Sequence, residues 1–104
     1  MVINICSDFS DTPGARYKSE GNFSGEEFRD TLLDPKFREA KESGKKLTIN
    51  LDGSYGYPTS FLEEAFGGLA RIHGARVVLE TLEFISDDEP SLIQEIVGYI
   101  QAQQ

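Results

Sequence analysis

The chain has few of the cysteine and histidine side chains on which metal sites and many small enzymes depend. Its 104 residues include one cysteine, Cys6, and one histidine, His73. A single cysteine excludes an internal disulfide, and zinc sites usually need three or four nitrogen or sulfur ligands. Cys6 lies in an apolar VINIC run, so we interpret it as a small buried residue. We therefore predict no metal and no cofactor.

Long apolar runs are also missing. The longest extend over a few residues, whereas a membrane-spanning helix needs about 20. The first ten residues, MVINICSDFS, have neither the basic region nor the long apolar core of a signal peptide. We therefore expect a cytoplasmic protein that makes no membrane contact.

Positive charge is scarce in the second half of the chain. The formal net charge is −8, and residues 53–104 contain two Lys or Arg against eight Asp or Glu. No basic stripe is present to neutralise phosphates, so we predict no nucleic-acid partner. An acidic face suits solubility or a basic protein partner.

The hydrophobic pattern predicts a single layered α/β domain over residues 1–104, because strand and helix periodicities alternate. A helix in two pieces is expected from Ser24 to its end at Gly44, a second helix near Ser60 and a third over 91–101. Gly67 and Gly68 lie inside the second helix, where they permit close approach to the sheet or mark a break. The predicted strands cover residues 2–6, 15–20, 45–51 and 77–85.

Two helix starts carry the S-x-x-E pattern of a capping box, in which a serine hydroxyl and a glutamate each bind an unpaired backbone N–H. The first pair is Ser24 with Glu27, and the second is Ser60 with Glu63.

Three motifs carry a family resemblance: Gly14-Ala15-Arg16, FSGEEFR at 23–29, and the LDG…SFLEEAFGGL stretch at 51–69. They resemble the STAS-like domain family of unknown function over essentially the whole chain. STAS domains are named for sulfate transporters and anti-sigma-factor antagonists. The resemblance implies a small mixed β-sheet flanked by helices and a role in protein interaction. Relatives are often encoded beside, or fused to, histidine-kinase-type ATP-binding proteins, which implies a bacterial-type partner-switching circuit.

The resemblance also implies a regulatory site. In anti-sigma-factor antagonists, a partner kinase phosphorylates a Ser or Thr at the start of the helix after the third strand. This position falls at Thr59 or Ser60. The chain has Pro58 where the antagonists have an acid and Phe61 where they have glycine. The residues themselves favour a different role for Ser60, in which its side chain is the N-cap of the helix and not a phosphorylation site.

Glu63 and Glu64 complement the dipole of the predicted helix and would repel a phosphate at its start by about as much as the dipole attracts it. Neighbours on a helix point about 100° apart, so these carboxylates would not share a substrate. Either one is a candidate partner of Arg16 or Arg29. Such contacts would make a structural polar cluster, or an anion pocket closed by Arg16 and the helix N-terminus.

Tyr55 and Tyr57 flank Gly56 in the loop before this helix. Exposed tyrosines are common binding anchors. The two tyrosines could equally fold back over the core and contribute to its packing, and the sequence leaves both interpretations open.

Together these features predict a non-enzymatic regulatory or scaffolding module that contacts a kinase-type ATPase or another basic surface. No nucleophile is accompanied by a base and an orienting group, so we predict no catalytic residue. The alternative is a domain that binds a small anionic ligand or nucleotide through the helix N-terminus near Ser60 and through Arg16. The predicted partner-binding residues are Tyr55, Tyr57, Glu63 and Glu64.

Overall fold

Three parallel strands form the centre of the domain. They are β1 (Val2–Asn4), β2 (Leu47–Asn50) and β3 (Leu82–Ile85), hydrogen-bonded in the order β1-β2-β3. The structure, a computed structural model, describes residues 1–104. Both connections between neighbouring strands step in the same direction, so crossovers of the same hand bring their helices to one face of the sheet.

The two faces of the sheet differ accordingly, because successive side chains of a strand point to opposite faces. Ile3, Leu47 and Ile49 are buried on the covered face. Val2 and Ile85, on the other face, are 55% and 39% exposed. Helices therefore cover one side of the sheet, and the other side remains open.

The chain has seven helices besides the strands, and two of the helical regions are interrupted by π-helical turns. One region runs through α2, the turn at Arg29–Leu33 and α3, and the other runs through α4, the turn at Glu63–Gly67 and α5. None of the helices combines the length and the apolar composition that a membrane-spanning segment requires. A 3-10 turn covers Lys18–Glu20. The helices are α1 (Ile5–Asp8), α2 (Gly25–Phe28), α3 (Asp34–Ser43), α4 (Thr59–Leu62), α5 (Gly68–His73), α6 (Ala75–Thr81) and α7 (Ser91–Gln101).

Aromatic side chains join the two interrupted helical regions. Phe28 of α2 lies with its ring centroid 5.7 Å from that of Phe61 on α4 and 6.1 Å from that of Phe66. All three rings are fully buried. Such tilted and edge-on pairs add about 0.5–1.5 kcal/mol each beyond the burial of their area. The packing therefore holds α2 firmly against α4 and the turn that follows it.

The predicted α/β class is confirmed, with three parallel strands in place of about four in a mixed sheet. Gly44, at φ 66°, ends α3 as expected. The strand predicted at 15–20 is wrong, since this segment serves α2 instead. The carbonyl oxygens of Ala15 and Arg16 accept hydrogen bonds from the N–H groups of Gly25 and Glu26, both of which would otherwise be unpaired at the helix start.

The strand predicted at 77–85 is wrong over its first half. Gly74, at φ 99°, redirects the chain after α5, and α6 continues to Thr81. Ala75 and Val78 are buried on one side of this helix. Burial on a helix therefore overrides the strand preference of the β-branched residues, which is weak and context-dependent.

Candidate functional site

The loop at residues 52–58 links β2 to α4 at the carboxyl edge of the sheet. It is tied to both neighbouring loops through backbone groups. The N–H of Gly53 donates to Asp88 Oδ2 at 3.0 Å, and the N–H of Asp88 donates to Asp52 Oδ1 at 2.9 Å. The N–H of Tyr55 donates to the carbonyl oxygen of Asp11 at 2.9 Å. The 52–58 loop is therefore anchored on two sides.

The two tyrosines of this loop have different environments. The Tyr57 hydroxyl donates to the Leu51 carbonyl oxygen at 2.8 Å and lies 3.0 Å from Ser54 Oγ. Burial raises the pKa of Tyr57, and the contact with Ser54 opposes this shift. The side chain of Tyr55, by contrast, is 86% exposed. Tyr57 thus folds back over the core, while Tyr55 points into solvent.

A cleft of about 120 Å³ separates the 52–58 loop from the 86–90 loop and the start of α7. We call it the inter-loop cleft. Leu51 and Leu92, which are almost fully buried, lie at its bottom. Tyr55, Asp88 and Glu89, which are exposed, lie at its rim. The lining of the cleft is therefore mixed, since Ser54 and Ser86 lie beside the two leucines, and its mouth is acidic.

The start of α4 differs from the prediction. Pro58, with ψ 141°, is the residue before the helix, and α4 begins at Thr59. No side chain caps it, so the predicted capping box of Ser60 with Glu63 is wrong. Ser60 is already inside the first turn, where its hydroxyl cannot act as an N-cap. Thr59 is exposed and Ser60 is half-buried.

The first predicted box is confirmed in one of its two bonds. Ser24 Oγ accepts from the N–H of Glu27 at 3.0 Å. The Glu27 carboxylate accepts from the N–H of Phe23 at 3.3 Å, not from that of Ser24. Phe23, the residue before the cap, has a positive φ of 58°.

Glu63 and Glu64 belong to a cluster with three arginines. Glu63 binds Arg16 and also Arg71, with Arg71 Nη1 at 2.7 Å from its Oε2. Arg29 Nη1 lies 2.6 Å from Glu64 Oε2 and 2.7 Å from the Glu64 carbonyl oxygen. The side chains of Arg29 and Glu64 are only 11% and 10% exposed. The sequence-based pairing of Arg16 and Arg29 with these glutamates is confirmed.

Arg71 was missed by the sequence analysis. It lies eight residues after Glu63 on the same helical region, so a spacing of about two turns was the available signal. Hydrogen bonds from Arg71 and Arg16 hold the pKa of Glu63 below its usual value, against the opposing effect of burial. The same contacts raise the pKa values of Arg16 and Arg71. Asp30 Oδ1 lies 3.7 Å from Arg29 Nε, so the three arginines are matched by three carboxylates.

The paired glycines make room for this cluster. Gly68 has helical angles, and a Cβ at this position would lie 2.3 Å from Arg29 Nη1. A Cβ on Gly67 would lie 2.7 Å from Glu63 Oε2. The glycines therefore do not break the helix, and what approaches them closely is charged side chains, not the sheet. Arg29 and Glu64 each lie on a π-helical turn, a feature that is frequent at functional sites.

The chemistry of the cluster is that of fixed ion pairs. Arg16 and Arg29 are both engaged with carboxylates of the second helical region. No group of three or more His, Cys, Asp and Glu side chains is arranged to hold a metal ion. The cluster joins the segment before α2 to the helix after the 52–58 loop, and so it fixes the position of that helix.

Comparison with known proteins identifies the family. A family model described as a STAS-like domain of unknown function (DUF4325) matches residues 24–92, which is more than half of the chain. No curated protein and no solved structure matches the chain. The matched segment includes the Ser24 cap, both π-helical turns and the 52–58 loop. The chain therefore belongs to the family of STAS-like domains of unknown function.

Proposed function

We propose that this domain is a non-enzymatic, cytoplasmic interaction module that regulates or scaffolds a protein partner through the 52–58 loop and the start of α4. The exposure of Tyr55 on an anchored loop carries the proposal. Tyrosine is enriched among the residues that dominate binding energy at interfaces. A loop that is already ordered loses little conformational freedom when it binds.

The charge around the loop supports a basic partner surface. Asp52, Asp87, Asp88 and Glu89 lie in the loops that follow β2 and β3. These two loops contain no Lys or Arg. Complementary charge raises association rates and selects among partners. A histidine-kinase-type ATPase with a basic patch is the partner class that the family resemblance favours.

The predicted partner-binding residues take two different roles in this proposal. Tyr55 contacts the partner. Tyr57, Glu63 and Glu64 have internal hydrogen bonds or ion pairs, so we assign to them the positioning of the loop and of α4.

Phosphorylation at the start of α4 is the proposed switch. Of the two candidates, Thr59 is exposed and Ser60 is half-buried, which favours Thr59. The repulsion expected from Glu63 and Glu64 is offset by the arginines that bind them. A helix start favours a negative group by about 0.3–1 kcal/mol. A phosphate on Thr59 would thus be tolerated by the fold and would add negative charge beside the partner surface.

Affinity capture from a native lysate, read by mass spectrometry, tests the interaction. We expect the wild-type chain to retain an ATPase or another protein with a basic patch. Loss of an anchor worth about 2 kcal/mol weakens binding about thirtyfold, so Tyr55→Ala should lose this protein. Tyr17→Ala is the matched control, because Tyr17 is exposed and lies outside the 52–58 loop. Equal capture by wild type and Tyr55→Ala would show that the proposed surface is wrong.

A further inference from the structure

We propose that the inter-loop cleft receives one long cationic side chain, a lysine or an arginine, from the protein partner. This inference rests on the proposed function and specifies the chemistry of the contact. The volume of the cleft, about 120 Å³, corresponds to roughly four water molecules. Sites for small molecules usually measure about 300–1,000 Å³. The cleft therefore suits a single side chain and is too small for a nucleotide.

The interior of the cleft matches the stem of such a side chain. Leu51 and Leu92, which are 2% and 6% exposed, supply apolar atoms to the lining, beside the polar groups of Ser54 and Ser86. Tyr57 also lines the cleft, and its hydroxyl is already bonded to the Leu51 carbonyl oxygen. Lysine and arginine bury their methylene stems against apolar surface while the charged end stays at the water boundary.

The mouth of the cleft matches the charged end. The Glu89 carboxylate has no ion pair and no hydrogen bond within the chain, and Asp88 accepts only the N–H of Gly53. Some other carboxylates, such as Asp30 and Asp34, are paired with Lys18 and Arg38, whereas no Lys or Arg of the chain pairs with Asp88 or Glu89.

Tyr55 adds an aromatic ring at the same rim. A cation over an exposed aromatic ring gains about twofold to fivefold in affinity, which corresponds to about 0.5–1 kcal/mol. The apolar side chains of the lining, the carboxylates and the aromatic ring thus surround the same cleft. A neutral side chain would leave the carboxylates unpaired, and an acidic one would be repelled.

An NMR titration of the full chain with n-butylammonium, which reproduces the end of a lysine side chain, tests this inference. The neutral control ligand is n-butanol, which has nearly the same shape. We expect n-butylammonium to shift the amide signals of residues 53–56 and 88–89 and to saturate, whereas n-butanol should bind at least fivefold more weakly. Equal binding of the two ligands, or no localised shift, would overturn the inference.

Matched variants assign the effect to the cleft. Glu89→Gln keeps the shape of the side chain and should weaken n-butylammonium up to about fivefold, the usual limit for an exposed ion pair. Asp87→Asn removes an exposed charge next to the cleft, since Asp87 does not line it, and should have little effect. If both variants weaken binding equally, the general negative field is responsible and the inference is wrong.

The same reagents separate this inference from the proposed function. In affinity capture, n-butylammonium but not n-butanol should displace the partner, and Glu89→Gln should reduce its recovery. If Tyr55→Ala abolishes capture while Glu89→Gln and n-butylammonium leave it unchanged, the proposed interaction function is supported and the proposed cationic contact in the cleft is refuted. If n-butylammonium binds the cleft while Tyr55→Ala captures the partner as well as the wild type does, the proposed interaction function is refuted and the preference of the cleft for a cation is supported.

Discussion

Replacing Gly68 by alanine should destabilise the domain, although the same change usually stabilises a helix. Gly68 has helical backbone angles, φ −61° and ψ −41°, so alanine introduces no backbone strain. On helix propensity alone, Gly68→Ala would gain about 0.8–1.0 kcal/mol. The new Cβ would, however, lie 2.3 Å from Arg29 Nη1 and 3.2 Å from its Cζ. The guanidinium group must therefore move.

The magnitude follows from the bonds that Arg29 would lose. Its Nη1 donates to both the carboxylate and the carbonyl oxygen of Glu64, and its Nε is buried without a hydrogen-bond partner. Breaking a buried ion pair costs about 3–5 kcal/mol. Glu64 keeps weaker contacts with Arg16 at 3.5 Å and Arg71 at 3.6 Å, which favours the lower end of this range. After the gain in propensity, we expect a net loss of about 2 kcal/mol.

Urea unfolding of the variant and a matched control measures this loss. Gly98 lies inside α7, and a Cβ at this position would have open space around it. Gly98→Ala should therefore raise the free energy of unfolding by about 1 kcal/mol. Gly68→Ala should lower it by about 2 kcal/mol and reduce Tm by about 8–16 °C, as expected for a domain of this size.

A change of background tests the cause. Replacing both Arg29 and Glu64 by leucine removes the ion pair together and leaves no buried charge unpaired. In that background, Gly68→Ala should stabilise the domain, as Gly98→Ala does. Stabilisation by Gly68→Ala in the wild-type chain would refute the reasoning, and so would an equal loss in both backgrounds.

Two further predictions concern Glu63 and the start of α4. The pKa of Glu63 in the folded state lies below its usual 4.5, because Arg71 and Arg16 donate hydrogen bonds to its carboxylate. This carboxylate therefore stabilises the fold above pH 4.5, and its contribution disappears as the pH falls through the folded-state pKa. Glu63→Gln should therefore lower the free energy of unfolding at neutral pH but not in strong acid, as measured by urea titrations, and a difference that persisted in acid would contradict this cause. To test the switch, the intact mass of the chain is measured after incubation with native lysate and ATP. We expect one added phosphate, which Thr59→Ala should abolish and Ser60→Ala should retain. The opposite pattern would assign the phosphate to Ser60, and an unmodified wild-type chain would exclude the switch under these conditions.

Local patterns predicted several elements correctly because their signals are local. Alternation of apolar residues indicates β2, and the serine hydroxyl of Ser24 caps the helix within three residues of its own position. Gly44 ends α3 through a left-handed conformation that glycine adopts at little cost. Each of these features depends on neighbours within one or two turns of the chain.

Predictions failed where distant contacts decide the outcome. The sequence of residues 15–20 predicts a strand, but the carbonyl oxygens of Ala15 and Arg16 instead accept hydrogen bonds from the start of α2. Val77, Val78 and Thr81 are β-branched, yet Val78 becomes buried as part of a helix. The cap expected at Ser60 also failed, since the residue before the helix is Pro58, two positions earlier, and Thr59 is the first helical residue.

The sequence by itself determined the family, the α/β class and the presence of a glycine- and tyrosine-rich loop before an acidic helix, because these are written in short motifs and in hydrophobic periodicity. Only the tertiary structure decided which tyrosine is exposed, which arginine binds which glutamate, and that Gly67 and Gly68 accommodate charged side chains. These features join residues up to 47 positions apart, as in the bond from Arg16 to Glu63. Such contacts depend on the packing of whole helices, and no local pattern encodes that packing.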